Sequence, residues 1–304
     1  MAFTVTVCIP HADTPWLLAT CLDCISGRQH PDIAVDVIVA DQTQDVEVHK
    51  RVCEVVARSG LKARLIHCRL LGCGHGIDCA LKFATGEFFC TLDCDAWPIH
   101  KAWLSLPIAL IREGVAQWVG SDTGLSKSYT EKGPFVHLNN YYRISRTDNA
   151  RVVSRNVGFM RWDSRWEIGF VPADYYWESL GGKVKCDNGV IAMHHTREHS
   201  KVSLAINRVI GQTPTAGVYG MVIDDLVFHL VFARNARQCQ DMNAALGGDY
   251  ADLYRSLEVH DRPLILAEVS ELAKRARGDG TFNRSLSGLT MSADLARRIE
   301  ELKA

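Results

Sequence analysis

The sequence lacks any long apolar run, since no stretch of about 18 uncharged apolar residues occurs among its 304 positions. It therefore predicts no membrane-spanning helix. The first ten residues, MAFTVTVCIP, lack the basic segment that begins a signal peptide and are typical of a strand. We expect the chain to stay in the cytoplasm.

Net charge is also nearly absent, because 34 basic and 35 acidic side chains leave a formal charge of −1. No overall field therefore draws the protein towards nucleic acid or an anionic membrane. The 11 cysteines are scattered and odd in number, and the Cys21–Cys24 pair has no second pair to complete a zinc site. We expect them to be small, mostly buried apolar residues in a reducing compartment.

The first hundred residues alternate between strand patterns and helix patterns. Apolar, β-branched runs at 4–10, 35–41, 63–68 and 87–93 alternate with helical patterns at 14–27, 46–59 and 77–85. This order predicts an α/β fold with a mostly parallel, Rossmann-like sheet flanked by helices. Ligands of such sheets bind at the carboxyl ends of the strands, where Asp41 and Asp93 are placed.

The stretch FFCTLDCDAWP, at 88–98, contains two aspartates one residue apart, Asp93 and Asp95. In an extended strand such residues share one face, so their carboxylates repel each other and lose hydration. A hard cation between them would offset both costs. The alternative is an ordinary turn after a strand, where aspartate is common.

Four motifs follow one another in a fixed order: CIP at 8–10, VIVAD at 37–41, ATGEF at 84–88 and LDCDAWP at 92–98. In these motifs the chain resembles the family-two glycosyltransferases of the GT-A fold. The resemblance covers roughly residues 4–100 and continues more weakly to about residue 196.

This resemblance implies a nucleotide-sugar donor and a divalent cation, Mn²⁺ or Mg²⁺, at the same edge of the sheet. Asp41 would accept a hydrogen bond from the nucleobase, and Pro10, Asp78 and Asp93 would lie on the donor side. Asp95, together with Asp93, would hold the cation against the diphosphate. The family has Asn after Arg where this sequence has Asp78, so a positive charge expected beside the phosphates is missing.

The second half of the motif set is GFVPADYYWESLGGKVKCDNGVIAMHHT, at 169–196. It is similar to the family's acidic position, helix, glycine and short strand ending in histidine. By this resemblance Asp174 is the general base that deprotonates the acceptor; a helix N-cap is its alternative role. The reserve candidates for the base are Glu178 and Asp187.

A histidine pair ends the same stretch. The resemblance makes His194 the remaining metal ligand, with His195 as its alternate. The alternative is a structural histidine whose hydrogen bonds are satisfied inside an apolar strand.

The resemblance and the pattern together suggest a division of the chain. Residues 1–214 would form the GT-A domain, with a nucleotide-sugar-binding half at 1–100 and an acceptor half at 101–214. From residue 215 the pattern is predominantly helical, which predicts a helical C-terminal extension at 215–304.

One local concentration of positive charge lies in the acceptor half. Its arginines are interleaved with aromatic residues, which favours a surface for phosphates and flat rings, such as DNA or RNA, as the acceptor. A solvated face whose aromatics turn to the core is the alternative. The candidate residues are Arg143, Arg146, Arg151, Arg155, Arg161, Trp162 and Arg165.

We therefore expect a metal-dependent glycosyltransferase that acts by a single inverting displacement on a saccharide or a hydroxylated base in DNA. A sugar nucleotidyltransferase is disfavoured because HADTPW, after the first strand, contains neither Lys nor Arg. A catalytically inactive nucleic-acid or glycan binding module of the same fold is the remaining alternative.

Overall fold

The computed structural model describes residues 3–122, 128–130, 133–135, 137–156, 171–172, 190–193, 195–198, 219–231, 267, 271 and 291–303. In the first half the elements are β1 (Phe3–His11), α1 (Pro15–Ser26), β2 (Ile33–Asp41), α2 (Val46–Arg58), β3 (Ala63–His67), α3 (Cys73–Leu81), β4 (Phe88–Leu92), β5 (Ala96–Pro98), a 3₁₀ turn (Lys101–Trp103) and α4 (Ser105–Arg112). They are followed by β6 (Trp118–Asp122), β7 (Ser128–Thr130), β8 (Gly133–Phe135), β9 (His137–Arg146), α5 (Thr147–Asn156), β10 (Val171–Pro172), β11 (Val190–Met193), β12 (His195–Glu198), β13 (Tyr219–Ile223), β14 (Val227–Val231) and α6 (Ala293–Lys303).

The central sheet has the strand order β11-β6-β9-β4-β1-β2-β3, and β10 pairs with β9. Strand β1 is parallel to both β2 and β4, β2 is parallel to β3, and β11 is parallel to β6. Antiparallel β9 lies between β4 and β6. The predicted α/β fold with a mostly parallel sheet flanked by helices is confirmed.

The first half folds as its apolar pattern indicates. Strand β1 is buried from Val5 to His11, and nine of the twelve residues of α1 are buried, so this helix fills the core beside the sheet. Helix α2 is amphipathic and begins at Asp45, whose carboxylate accepts hydrogen bonds from the backbone amides of Glu47 and Val48, both at 2.9 Å. Such an N-cap satisfies amides that have no partner within the helix.

Two glycines allow close backbone approaches that position the site strands. A side chain at Gly86 would place its Cβ 2.4 Å from the backbone nitrogen of Thr6, so β4 can begin beside β1 only without one. Opposite Arg143, a Cβ at Gly120 would lie 2.5 Å from the arginine Cβ. Gly120 therefore opens the space in which Arg143 is buried.

A second, antiparallel sheet has the order β12-β13-β14-β5. The helical pattern predicted from residue 215 was wrong over 219–231, which form the β13–β14 hairpin. Its turn contains Asp224 and Asp225 with φ of 45° and 56°, left-handed conformations that interrupt any helix. The predicted C-terminal helix is present as α6, which buries Leu295 and Ile299.

The cysteines of the described ranges are free thiols. Cys8, Cys21, Cys24, Cys90 and Cys94 are buried, as expected, whereas Cys53 on α2 is exposed. Across the described residues, no helix has both the length and the apolar character that crossing a bilayer requires.

Candidate active site

The site lies where three parallel strands end side by side. Strands β1 and β2 are paired along their full length, and the last pair is His11 opposite Asp41. Strand β4 lies on the other side of β1 and leads directly into Asp93. The carboxyl ends of β1, β2 and β4 therefore bring His11, Asp41 and Asp93 to one edge of the sheet.

The Asp93–Asp95 turn is held by backbone hydrogen bonds from three directions. The amide of Asp93 donates to the carbonyl of Tyr141 at 3.1 Å, and the amide of Ala96 donates back to the carbonyl of Asp93 at 2.9 Å. The amide of Leu230, in β14, donates to the carbonyl of Asp95 at 2.9 Å. These bonds fix the backbone of the turn that carries both carboxylates.

His229 joins the two aspartates, although nothing in the sequence analysis singled it out. It lies on β14, where it pairs with Ala96 of β5, directly after the Asp93–Asp95 turn. Its Nε2 is 3.4 Å from Asp95 Oδ1, and its ring stacks on Tyr141 with centroids 4.2 Å apart. The second sheet therefore delivers an imidazole to the carboxyl edge of the first.

These three side chains have the composition of a divalent-cation site. One ligand atom each from Asp93, Asp95 and His229 lies within 4.8 Å of the other two. Asp95 and His229 are each 5 % exposed, and His229 Nδ1 is buried without a hydrogen-bond partner. Two carboxylates and one imidazole suit Mn²⁺ well, and a cation there offsets the cost of burying the carboxylates. The group therefore fits the predicted Mn²⁺ or Mg²⁺.

Positive charge also lies beneath the site. Arg143, on β9, is 2 % exposed, and burial lowers the pKa of its guanidinium to about 10, against the attraction of Asp78 and Asp93 among other groups. It therefore keeps its charge at neutral pH. Arg143 is thus a fixed interior cation near Asp93, and not part of an exposed acceptor surface as the sequence suggested.

The Asp41 carboxylate is completely buried and bound on both oxygens. Its Oδ1 accepts hydrogen bonds from His11 Nδ1 at 2.9 Å and from Thr43 Oγ1 at 2.6 Å, and the amide of Thr43 donates to it as well. Its Oδ2 accepts from His49 Nδ1 at 2.6 Å. Burial alone would raise the pKa of Asp41, but these hydrogen bonds, that of His11 first, lower it well below the usual range.

The other donor-side candidates lie on β1 and α3. Pro10 is the penultimate residue of β1, next to His11. Asp78 lies on α3, where its Oδ1 accepts a hydrogen bond from Ser154 Oγ at 2.6 Å. The thiol of Cys73, at the start of α3, donates to Asp93 Oδ1 at 3.6 Å. The start of helix α3 thus contacts the aspartate pair.

The described arginines of the predicted acceptor surface make contacts within the chain. Arg146 pairs with Glu87 at 2.9 Å, beside the amino end of β4, which is the edge opposite Asp93. Arg151 pairs with Asp148 at 3.1 Å and donates to the carbonyl of Ala84 at 2.8 Å. Arg155 Nε donates to the carbonyl of Arg151 at 3.3 Å. Arg161, Trp162 and Arg165 lie outside the described residues.

The motifs around this edge match a known sequence family. The profile of glycosyl transferase family 2 matches residues 6–169, which is more than half of the chain. The chain belongs to this family. The match includes Asp41, Asp93 and Asp95 but ends before His229. The predicted glycosyltransferase class is thereby confirmed.

Among solved structures, this glycosyltransferase resembles a mannosyltransferase from Pyrobaculum calidifontis in complex with GDP-Man and Mn²⁺, at TM-score 0.46 and 16 % identity over 99 % of this chain and 79 % of that one. It also resembles glucosyl-3-phosphoglycerate synthase from Mycobacterium tuberculosis, at TM-score 0.35 and 16 % identity over 48 % of this chain and 58 % of that one. A third likeness is to mannosyl-3-phosphoglycerate synthase from Rubrobacter xylanophilus, at TM-score 0.35 and 13 % identity over 48 % and 55 %. Among curated proteins none matches the sequence. Likenesses this distant assign neither donor nor acceptor to the glycosyltransferase.

Several predicted residues of the glycosyltransferase fall outside the described ranges. They are the general-base candidates Asp174, Glu178 and Asp187 and the metal-ligand candidate His194. His195 begins β12, whose backbone pairs with β13. Their roles remain predictions.

Proposed function

We propose that this protein transfers a sugar from a nucleotide-diphosphate sugar to an acceptor hydroxyl, with a divalent cation held by Asp93, Asp95 and His229. The observation that carries this proposal is the convergence of the three side chains at the carboxyl edge of the sheet. Ligands of parallel α/β sheets bind at this edge. Membership of glycosyl transferase family 2 supports the same reaction class.

The proposed reaction has an acceptor hydroxyl as nucleophile and a nucleoside diphosphate as leaving group. The acceptor oxygen forms a bond to the anomeric carbon while the bond from that carbon to the diphosphate oxygen breaks, so a single displacement inverts the anomeric configuration. When bound, the cation neutralises negative charge on the departing nucleoside diphosphate. Asp93, Asp95 and His229 hold it, and the backbone bonds to Tyr141 and Leu230 keep the turn in position.

In the proposal Asp174 takes the proton from the acceptor hydroxyl, and Glu178 or Asp187 replaces it if Asp174 serves as a helix cap. A carboxylate in this role must lie within hydrogen-bond reach of the hydroxyl. A second proton acceptor is not needed for a single displacement. Localisation in the cytoplasm, where the cysteines stay reduced, is part of the same proposal.

The nucleoside would lie along the edge between Asp41 and Asp93, near Pro10 and Asp78. Asp41 Oδ2 accepts one hydrogen bond, from His49, and a carboxylate oxygen can accept a second. Because the Asp41 side chain has no exposed surface, contact with a nucleobase requires His49 to turn aside. His49 itself is 27 % exposed and faces solvent at this edge.

Release of nucleoside diphosphate tests the proposal. We expect the purified protein to hydrolyse one member of a panel of nucleotide sugars slowly when Mn²⁺ is present and no acceptor is added. EDTA should abolish this release, and excess Mn²⁺ should restore it. Saccharides and hydroxymethylated DNA can then be compared as acceptors with the donor that was found.

Two results would contradict the proposal. Formation of a nucleotide sugar from a sugar phosphate and a nucleoside triphosphate, with release of pyrophosphate, would identify a nucleotidyltransferase. Binding of nucleic acid or glycan without consumption of any donor would identify an inactive binding module of the same fold.

A pair of histidine variants tests which imidazole completes the metal group. We expect His229→Ala to raise the Mn²⁺ concentration needed for half-maximal activity by about ten-fold or more, because one of three protein ligands is lost. His194→Ala is the matched control and should leave that concentration unchanged. The opposite result, a shift with His194→Ala alone, would restore the original prediction from the sequence. The measurement is donor hydrolysis as a function of Mn²⁺ concentration.

A further inference from the structure

A second group of metal-ligating side chains lies at the ends of β2 and β3. It consists of Asp41, His49 and His67, whose ligand atoms all lie within 4.8 Å of one another. Asp41 and His67 are direct partners in the parallel register of β2 and β3. His49 comes from the first turns of α2, which follows β2 after a short loop. The sheet itself therefore fixes two of the three side chains.

The orientation of His67 leaves one nitrogen available as a ligand. Its Nε2 is 3.0 Å from the carbonyl oxygen of Thr43. A carbonyl only accepts, so Nε2 carries the proton and Nδ1 carries the lone pair. Metal-binding histidines commonly donate their other N–H to a backbone carbonyl in this way, which fixes the tautomer. His67 is exposed at the end of β3, so an ion can reach it from solvent.

His49 can become a ligand by moving one proton. Its Nδ1 is 2.6 Å from Asp41 Oδ2, and its ring stacks on His67 with centroids 4.6 Å apart. Its Nε2 is 3.6 Å from the Cys53 sulfur, one helical turn further along α2. When an ion takes the place of the proton between Nδ1 and Asp41, His49 carries its proton on Nε2 instead. The Nε2–H group then donates a hydrogen bond to the Cys53 sulfur. The exchange leaves Nδ1 with a lone pair and releases no proton.

His11 does not neutralise the negative charge of the Asp41 carboxylate. The amide of Thr14 donates to His11 Nε2 at 3.2 Å, so this nitrogen is unprotonated and His11 is the neutral tautomer that donates through Nδ1. The buried Asp41 carboxylate accepts hydrogen bonds on both oxygens, as an ionised carboxylate does. A buried carboxylate beside two imidazoles is thus an environment that favours a bound cation.

We propose that Asp41, His49 and His67 form a binding site for one transition-metal ion of the class that imidazole prefers, represented by Zn²⁺. Two imidazole nitrogens and one carboxylate oxygen favour Zn²⁺, Ni²⁺ or Cu²⁺ over Mg²⁺. The Asp93–Asp95–His229 group, with two carboxylates and one imidazole, has a weaker preference for these ions. Three protein ligands and an exposed side leave a position open for water. This site shares Asp41 and His49 with the proposed nucleobase contact, so an ion bound there would compete with the donor.

Zn²⁺ titration of the metal-free protein by calorimetry, in the presence of excess Mg²⁺ and without donor, tests this site. We expect His67→Gln to weaken the tightest Zn²⁺ binding by about ten-fold or more. His30→Gln is the matched control, because His30 faces one carboxylate, that of Asp32 at 3.9 Å, and should bind as the wild type does. Zn²⁺ should also raise the Tm of the wild type and of His30→Gln but not that of His67→Gln.

Equal Zn²⁺ affinity in His67→Gln and wild type would overturn the proposal. So would tight binding that survives His67→Gln but disappears in Cys53→Ser, since the ion would then be held by a thiol. His67 is exposed, so its substitution leaves the core intact and the comparison is made on folded protein. Because no donor is present, failure here and failure of the glycosyltransferase proposal are separate results.

Discussion

Asp95→Asn is expected to reduce metal-dependent release of nucleoside diphosphate by at least about 10²-fold. The asparagine keeps the size of the side chain but removes the charge that holds the cation between Asp93 and His229. Metal stabilisation of a leaving group amounts to several kcal/mol, and about 1.4 kcal/mol corresponds to a ten-fold change in rate. The measurement is kcat/KM for the identified donor at saturating Mn²⁺.

Asp45→Asn provides the matched control for this loss. Asp45 caps α2 shortly after the carboxyl end of β2, and asparagine caps helices about as well as aspartate does. It should therefore retain activity. A second readout separates folding from chemistry: Mn²⁺ should raise the Tm of wild type and Asp45→Asn but not of Asp95→Asn. Full metal-dependent activity in Asp95→Asn would show that this carboxylate is not a ligand.

The first hundred residues could be read from the sequence because their structure is local. The strands of the parallel half carry mostly apolar runs, and α1 and α2 between them bury apolar side chains. Because β2 and β4 both pair in parallel with β1, Asp41 and Asp93 lie at the same edge of the sheet. This placement does not depend on the later part of the chain. Fold class and the aspartate pair followed from these rules alone.

His229 could not be found in that way because its position depends on pairing between distant segments. It reaches Asp95 only when β14 pairs with β5, which lies about 130 residues earlier in the chain. The sequence MVIDDLVFHLV also contains enough apolar residues to resemble a helix. The one local signal was Asp224-Asp225, a turn pair between two short apolar runs.

The positions of Arg143 and His11 could not be predicted from their own strands, because each depends on a residue of the neighbouring strand. An arginine in the middle of β9 suggests a surface, but Gly120 on the paired strand leaves room for it inside. His11 ends β1 at the level where Asp41 ends β2. This contact depends on the register of β1 and β2, and the other donors to Asp41 come from Thr43 and His49, outside both strands' pairing.

The hydrogen bonds to both oxygens of Asp41 make Asp41→Asn the substitution with the largest expected effect on stability. An amide nitrogen in place of either oxygen would face N–H groups of His11 or His49, or the Thr43 donors, so at least one buried donor loses its acceptor. The expected loss in the free energy of unfolding is about 2–4 kcal/mol at pH 7. Asp36→Asn, in the same strand, should cost less, because its charged partners Arg64 and Lys62 are 43 % and 76 % exposed and can return to water.

The same carboxylate gives the effect a pH dependence with a defined sign. Because hydrogen bonds lower the folded pKa of Asp41 below the unfolded value of about 3.9, its ionised form stabilises the fold fully above about pH 5. As the pH falls below 4, the unfolded chain takes up a proton that the folded chain refuses, and this stabilisation declines. The gap between wild type and Asp41→Asn should therefore be constant from pH 7 to 5 and narrow by about 1 kcal/mol at pH 3. Urea unfolding at these three values measures it, and a gap that stays constant to pH 3 would mean that folding does not lower the pKa of Asp41.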